Sequence, residues 1–298
     1  MIESVGQFKI LESMPSGPLG DTYRARDTRV GRTVAVTIVA DRITSTAERR
    51  AQFLEDARRA AALSHPNIVT LYEVGDEESR LYLVYEFVQG QTLRALIGGT
   101  PLNPRRAIDL ASQIADALAE AHAADVVHGS ITSDKVVVTP KGNAKIADAG
   151  LAWWGTAAGT ARRSREDTGE EWVGKPRPDA DLFAVGVLLF EMLTGRVPAP
   201  GAGVPSAVNR LLPREIDPIV ARAMGKSGGF ESAATLGAEL RAVGAMIDAR
   251  KEASPAPVPP SAIARATRSR SDTTVKWLVV VLILGALVAG AWWYFRSA

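Results

Sequence analysis

The chain has 298 residues, a formal net charge of +2, no cysteine and 46% hydrophobic residues. This length suits one large domain, or two modest ones, with tails. So small a net charge gives no reason to expect nucleic acid as a partner. The absence of cysteine excludes disulfides, thiol nucleophiles and cysteine-ligated zinc. The three histidines (His65, His122 and His128) lie in separate segments, which argues against a histidine-built metal site.

The first ninety residues have the pattern of a β-rich unit with one helix. Three segments rich in β-branched and aromatic residues lie between turn signals and predict strands: FKILESM, DTYRARD and TVAVTIVA. A helix is predicted over 47–64, with Phe53, Ala57 and Ala60 on one face. Strand patterns then return as far as Val88.

Beyond Gly90 the pattern becomes helical. A long amphipathic helix is predicted over 104–124 because its apolar residues recur at helical spacing. These residues are Ile108, Ala111, Ile114, Leu118 and Ala121. A small β-rich half followed by a larger helical half predicts an α+β fold.

The C-terminal fifty residues differ from the rest in composition. Residues 249–275 are rich in Pro, Ser, Thr and Arg without apolar periodicity, which predicts a disordered linker. The segment from Trp277 to Phe295 carries no charge and is long enough to cross a hydrocarbon core of about 30 Å. We therefore predict a transmembrane helix over 276–296 and a lipid bilayer as a partner.

The charges around this segment predict its orientation. Basic residues precede it and only Arg296 follows it, so the positive-inside bias places residues 1–276 in the cytoplasm of a single-pass membrane protein. The alternative is a buried core helix. The preceding linker and the absence of a polar face favour the membrane.

Four segments, in this order and spacing, resemble a bacterial-type serine/threonine protein kinase: AALSHPNIVTLYEVG, LYLVYEFVQGQTLRALI, VVHGSITSDKVVVTPKGNAKIADAGLA and DLFAVGVLLFEMLTGRVP. The resemblance covers about residues 8–247. It implies a two-lobed fold over 8–248, with a β-rich N-lobe over about 8–88, a helical C-lobe over about 89–248, and ATP bound between them.

The glycine-rich loop, residues 15–22, departs from the family pattern G-x-G-x-x-G-x-V. It reads P-S-G-P-L-G-D-T and keeps Gly17 and Gly20. Pro15 and Pro18 each remove an amide donor, and Asp21 adds a negative charge where phosphates would lie. The resemblance implies a vestigial nucleotide cleft, lined by Gly17, Gly20, Ala35, Glu86 and Val88.

The lysine–glutamate ion pair of the family is also altered. Where the family has V-A-I-K, this chain reads V-A-V-T, so Thr37 holds the lysine position. Counted back from the S-H-P-N turn, the helix glutamate corresponds to Asp56. Thr37 is neutral and cannot form an ion pair with Asp56.

The catalytic loop, residues 128–135, reads H-G-S-I-T-S-D-K where the family has H-R-D-L-K-P-x-N. By the resemblance, Ser130 replaces the aspartate that accepts the substrate proton. Thr132 replaces the lysine near the γ-phosphate, and Lys135 replaces the asparagine that ligates magnesium. His128 keeps a packing role, and we expect the side chain of Asp134 to point elsewhere.

The D-F-G motif of the family becomes Asp148-Ala149-Gly150. Asp148 retains the capacity to bind a metal ion, but Lys135 brings an ammonium to the place where a cation is normally recruited. We therefore predict a salt bridge between Lys135 and Asp148 that stands in for magnesium. We further expect Trp153 and Trp154 to fill the space that the missing phenylalanine leaves.

Of the other family features, one that supports the scaffold is retained, and two that belong to substrate docking are missing. Asp181, which in the family anchors the catalytic loop, is retained. The A-P-E motif is missing, and so is its partner arginine, since the chain reads K-S-G-G-F over Lys226–Phe230.

These replacements predict a pseudokinase in which phosphotransfer is lost or very weak. One hypothesis is a membrane-tethered docking or regulatory module in bacterial serine/threonine phosphorylation signalling, with an unidentified signalling protein, such as an active kinase, as partner. Two alternatives remain open: a sensor that binds ATP with or without magnesium, and a residual ATP-dependent serine/threonine kinase with an atypical site.

Overall fold

The computed structural model describes residues 3–77, 80–156, 176–225, 228–253 and 276–284. These residues divide into two compact units, Met1–Asp248 and Ala249–Ala298. The first unit has two lobes and contains every candidate site residue.

The N-lobe is built on a six-stranded antiparallel sheet with the strand order β1-β2-β3-β4-β6-β5. Its strands are β1 (Ser4–Val5), β2 (Phe8–Ser13), β3 (Gly20–Asp27), β4 (Thr33–Val39), β5 (Leu71–Glu77) and β6 (Arg80–Glu86). The strands predicted from the three β-branched segments are therefore confirmed. One helix, α1 (Ala47–Ala61), packs against β5.

Helix α1 forms where the sequence predicts it, and its apolar face packs into the N-lobe core. The Thr46 side chain caps it by accepting a hydrogen bond from the Arg49 backbone amide. Phe53 and Ala57 are fully buried and Ala60 is 6% exposed. The predicted face is thus confirmed.

The C-lobe is mainly helical. Its helices are α2 (Leu93–Ile97), α3 (Pro104–Ala123), α4 (Ala152–Thr156), α5 (Pro178–Thr194), α6 (Pro205–Val208), α7 (Asp217–Ala223) and α8 (Ala233–Ala253), with a 3-10 turn at Arg214–Ile216. A small three-stranded sheet, not predicted from the sequence, contains β7 (Gln91–Thr92), β8 (Val136–Val138) and β9 (Ala144–Ile146).

Helices α3 and α5 form the centre of the C-lobe core. The five residues predicted for the apolar face of α3 are each at most 1% exposed. Helix α5 is buried on several sides because it packs against α3, α6 and α7. At Gly186 an added Cβ would lie 2.8 Å from the Ala223 side chain, so glycine permits the close approach of α5 and α7.

Helix α8 packs onto α3 through two ion pairs. Arg241 reaches both oxygens of Asp116, at 2.7 and 2.9 Å, and Arg105 donates to Asp248 at 2.8 Å. Helix α8 continues to Ala253, five residues into the segment predicted as a linker, since Ala, Arg, Lys and Glu favour helix. The remainder of that predicted linker, 254–275, lies outside the described residues.

Helix α9 (276–284) is the described part of the second unit beyond α8. Its side chains from Trp277 to Leu284 are 45–70% exposed. Among the residues that the structure describes, none of the helices combines the length and the apolar character needed to cross a membrane. The rest of the predicted transmembrane segment lies outside the described residues.

Asp181, in the first turn of α5, fixes the path of the catalytic loop. Its carboxylate accepts hydrogen bonds from the backbone amides of His128, at 2.9 Å, and Gly129, at 2.7 Å. The ring of His122 donates a third, at 2.9 Å. Asp181 is 1% exposed, so these donors replace water. The predicted anchoring role of Asp181 is confirmed.

We expect Asp181→Asn to destabilise the domain strongly. Each N–H group that loses its buried acceptor costs about 1–3 kcal/mol, and the loss is measured by urea denaturation followed by circular dichroism. Asp179→Asn, on the same helix turn, is the matched control. The Asp179 side chain is 61% exposed in its pair with Arg177, so the control should lose less than about 1 kcal/mol. Equal losses in both variants would contradict the anchoring role.

Candidate functional site

The glycine-rich loop closes as a tight hairpin between β2 and β3. The amide of Gly17 donates to the carbonyl of Gly20 at 3.0 Å, and the amide of Gly20 donates back at 3.1 Å. At Gly20, with φ of +152°, an added Cβ would lie 1.8 Å from the carbonyl oxygen of Ile38. Since Pro15 and Pro18 lack an amide proton, four positions of the loop offer no free donor to a phosphate.

Two side-chain contacts hold this hairpin in place. The guanidinium of Arg42, just after β4, donates to the carbonyl of Pro18 at 2.6 Å. The hydroxyl of Ser16 donates to Asp21 at 2.7 Å. The carboxylate of Asp21 therefore lies within the loop, as the sequence suggests, where it would repel an anionic ligand.

In the family pattern the residues at positions 37 and 56 pair with each other. Here the side chains of Thr37 and Asp56 each have a different partner. Thr37 is 5% exposed, and its hydroxyl oxygen lies 3.0 Å from that of Thr22 on the neighbouring strand. Asp56, on α1 and 8% exposed, accepts a hydrogen bond at 3.1 Å from the indole nitrogen of Trp154. Arg59 lies 3.7 Å from the same carboxylate. An indole N–H and a guanidinium are thus partners of the buried acid.

The catalytic loop, whose backbone amides bind Asp181, carries neutral side chains at two positions where the family has charged groups. Ser130 is half-buried and Thr132 is exposed, and neither side chain can accept a proton as a carboxylate does. Asp134 points away from the loop and binds Arg94 through both oxygens, at 2.7 and 2.8 Å. The prediction that the side chain of Asp134 points elsewhere is confirmed.

His128 is fully buried in a neutral hydrogen-bonded state. Its Nε2 donates to the carbonyl of Ala147 at 2.9 Å, and its Nδ1 accepts from the amide of Ser130 at 3.3 Å. Burial lowers the pKa of His128 below its ordinary value. Protonation of Nδ1 would also remove the acceptor of the Ser130 amide, so the neutral ring supports the loop.

Lys135 and Asp148 form the ion pair that the sequence predicts. Their side chains are only 17% and 15% exposed, so the pair is largely removed from water. An added Cβ on Gly17 would lie 3.8 Å from the Lys135 ammonium, which places this cation beneath the glycine-rich loop. Asp148 has a φ of +59°, an uncommon backbone state for a non-glycine residue that is often found at functional sites.

The side chain of Tyr85, at the end of β6, faces the same ion pair. Among the residues that the structure describes, its buried hydroxyl has no hydrogen-bond partner. Burial, followed by the negative charge of Asp148, raises the pKa of Tyr85 well above its ordinary value. The hydroxyl therefore stays neutral beside the ion pair.

The remaining residues of the predicted nucleotide cleft lie between the lobes. Ala35 and Val88 pack against an apolar cluster that includes Tyr85 and Trp154. The carboxylate of Glu86 binds the Lys145 ammonium at 2.9 Å. The structure brings these residues and the glycine-rich loop into one region; their role in nucleotide binding stays a prediction.

A cavity of about 90 Å³ is lined in part by Asp56 and Arg59. It is bounded by α1, by the loop after α3 and by Gly150, Trp153 and Pro176. Pockets for drug-sized ligands usually measure about 300–1,000 Å³. This cavity is therefore too small to be a nucleotide site.

The donor set in the cleft does not fit a divalent metal ion. Asp148 already binds an ammonium, and Lys135, at the family's asparagine position, supplies no oxygen ligand. Within the described ranges, no group of three or more His, Cys, Asp or Glu side chains is arranged to hold a metal ion.

Sequence reasoning missed the place of α4. Trp154 is 3% exposed and packs on Phe53 of α1 at a ring distance of 5.5 Å. Trp154 packs in the N-lobe cluster and Trp153 packs against it; that the two rings fill the space of the missing phenylalanine stays a prediction. Two bulky residues next to Gly155 are the signal that could have indicated close packing. Their partners were not apparent from the sequence.

Comparison with known proteins agrees with this geometry. A family model described as "Protein kinase domain" matches residues 8–219. The chain belongs to the protein kinase domain family. The resemblance to bacterial serine/threonine kinases and the two-lobed fold are thereby confirmed, whereas loss of activity stays a prediction.

Two curated bacterial kinases show the same relationship. Serine/threonine-protein kinase PrkC of Bacillus subtilis is 30% identical over 261 residues, which cover 79% of this chain and 40% of PrkC. Serine/threonine-protein kinase PknA of Mycobacterium tuberculosis is 31% identical over 214 residues, covering 66% of this chain and 49% of PknA. The chain therefore spans less than half the length of these relatives.

Among solved structures, the chain resembles the PknI kinase domain of Mycobacterium tuberculosis, in its C20A_R136N double mutant. The TM-score is 0.68 at 18% sequence identity, over 81% of this chain and 98% of that domain. At this identity the likeness establishes the fold alone.

We expect Lys135→Asn to create a metal site at Asp148. The substitution removes the ammonium and supplies an amide oxygen, so affinity for Mn²⁺, measured by electron paramagnetic resonance, should rise about tenfold or more. Lys141→Asn, at an exposed position before β9, is the control and should leave Mn²⁺ affinity unchanged. Equal affinities in both variants would show that Lys135 does not occupy the metal position.

We expect the free energy of unfolding to fall in mild acid because His128 is buried in its neutral form. Its folded pKa is lowered, whereas in the unfolded chain it titrates near its ordinary value of about 6.5. The unfolded state therefore binds more protons below that value. The contribution of His128 is full above about pH 6.5 and is lost as pH falls towards the lower folded pKa.

The measurement is the melting temperature between pH 7.5 and 5. His128→Asn should melt lower throughout but with a flatter pH dependence than the original chain. Parallel curves for the two proteins would contradict this role of His128.

Proposed function

We propose that this chain is a membrane-tethered pseudokinase that acts as a docking or regulatory module in bacterial serine/threonine phosphorylation signalling. The observation that carries the proposal is the Lys135–Asp148 ion pair. It places the cation of a side chain against the carboxylate that would otherwise bind a metal. A cleft neutralised in this way has little electrostatic attraction left for a nucleotide–metal complex.

The absence of several charged groups that serve different roles supports the proposed loss of phosphotransfer. Phosphoryl transfer depends almost entirely on positioning and charge stabilisation. Removing a general base or a preorganised charge typically costs about 10²–10⁴-fold in rate, although such effects are not additive. Here Thr37, Ser130 and Thr132 stand at three positions where the family has a charged group.

The tether is supported by the apolar sequence from Trp277 to Phe295. The proposal places the kinase-like domain in the cytoplasm, next to other membrane proteins. Confinement of this kind raises the effective concentration of the domain near a partner. We propose an active kinase as that partner, since the curated relatives carry that activity in their names.

A second candidate is a residual kinase or a nucleotide-binding sensor. Gly17 and Gly20 are kept, and Ala35 and Val88 still pack against an apolar cluster. Asp181 also holds the catalytic loop in an ordered path. These features favour a cleft able to accept adenine and ATP, with or without magnesium, without supplying the base for transfer.

The deciding experiment is thermal melting of the full chain with ATP, in the presence and absence of magnesium. We expect no rise in melting temperature at about 1 mM ATP, because a ligand stabilises a protein only when it binds the folded state. An active bacterial kinase measured in parallel is the control. A rise that depends on ATP concentration would favour the sensor, and transfer of labelled phosphate to a peptide would overturn the pseudokinase.

A further inference from the structure

Helix α4 begins one residue beyond the Asp148-Ala149-Gly150 motif, after Leu151, and touches three separate parts of the domain. These are α1, the glycine-rich loop and the catalytic loop. Each contact is made by a different residue of the sequence Trp153-Trp154-Gly155, and each rests on a distinct physical requirement.

The contact with α1 is made by Trp154. Its indole nitrogen donates to Asp56 at 3.1 Å, and its ring meets Phe53 edge-on at 80°. The guanidinium of Arg49 lies 5.5 Å from the same ring, within the range of a cation–π interaction. Trp154 thus binds α1 at three positions along one face of that helix.

The buried carboxylate of Asp56 gives this contact its importance. A carboxylate at 8% exposure needs donors or a cation to replace water. The lysine that performs this role in the family is Thr37 here, whose hydroxyl pairs with Thr22. The indole N–H of Trp154 supplies a donor from a different element of the chain, alongside the Arg59 guanidinium at 3.7 Å on α1 itself.

The contact with the glycine-rich loop is made at Gly155. An added Cβ on Gly155 would lie 2.5 Å from the Pro18 side chain and 2.7 Å from its carbonyl carbon. No side chain larger than hydrogen fits between these backbones. Arg42, just after β4, also donates to the same proline carbonyl, so the tip of the loop is in contact with both α4 and Arg42.

The contact with the catalytic loop is made by Trp153. Gly129 has a φ of +73°, and a Cβ there would lie 3.1 Å from the Cβ of Trp153 and 2.4 Å from the ring of Pro176. The family arginine at this position could not be accommodated. Glycine at 129 and tryptophan at 153 are therefore compatible replacements that let α4 lie against the loop.

We propose that α4 is a latch that joins α1, the glycine-rich loop and the catalytic loop and keeps the two lobes in one closed arrangement. In this role Trp154 substitutes for the lysine–glutamate ion pair of the family. The inference deepens the proposed docking function, on which it rests, since a module with one fixed shape presents one constant surface to a partner.

The test compares hydrogen exchange of the full-length chain in detergent with that of two variants. Gly155→Ala pushes α4 away from Pro18, and Trp154→Phe keeps the packing but removes the donor to Asp56. Gly203→Ala is the matched control, because a Cβ there would make only ordinary contact, at 3.6 Å from Ala207. Exchange is read in peptides covering 14–22, 47–62 and 108–118.

Opening of the latch should accelerate exchange about tenfold in the glycine-rich loop and α1 while α3 stays protected, since local openings expose only the elements that move. The Gly203→Ala control should match the original chain. Unchanged protection in both variants would overturn the latch, and so would equal acceleration in the α3 peptide. Phosphotransfer by the original chain would instead overturn the pseudokinase and leave the exchange result standing.

Discussion

A carboxylate removed from water must find an internal donor or cation, and this constraint organises the cleft and the loops around it. Asp181 meets it with two backbone amides and a histidine, and so defines the path of the catalytic loop. Asp148 meets it with an ammonium. Asp56 meets it with an indole N–H and a nearby guanidinium.

These three arrangements differ in whether they occupy a group that a ligand would otherwise bind. The donors to Asp181 are structural, and the same arrangement would serve an active or an inactive domain. By contrast, Asp148 and Asp56 are paired with side chains of this chain, whereas in the family pattern these positions pair with a metal ion and a lysine. The scaffold is thus stabilised by interactions, such as those of Asp181, that are separate from the positions to which the family pattern assigns phosphotransfer.

The sequence predicted much of this correctly, and the reason lies in local patterns. Alternation and β-branched residues located β2, β3 and β4, and helical spacing located the buried faces of α1 and α3. The Lys135–Asp148 pair was predictable because both residues belong to ordered motifs whose relative placement the family fold preserves. The small sheet of β7, β8 and β9 was missed, since its strands are only two or three residues long and carry little periodicity.

By itself, the sequence determined the two-lobed kinase fold, the replaced motif positions and the neutral residue at position 37. Tertiary structure alone decided what became of the groups left without their usual partners. Trp154 is 98 residues from Asp56, and Gly155 meets Pro18 across an even longer stretch of chain. Contacts of this kind depend on how loops pack after the lobes have formed, so no local pattern in the chain encodes them.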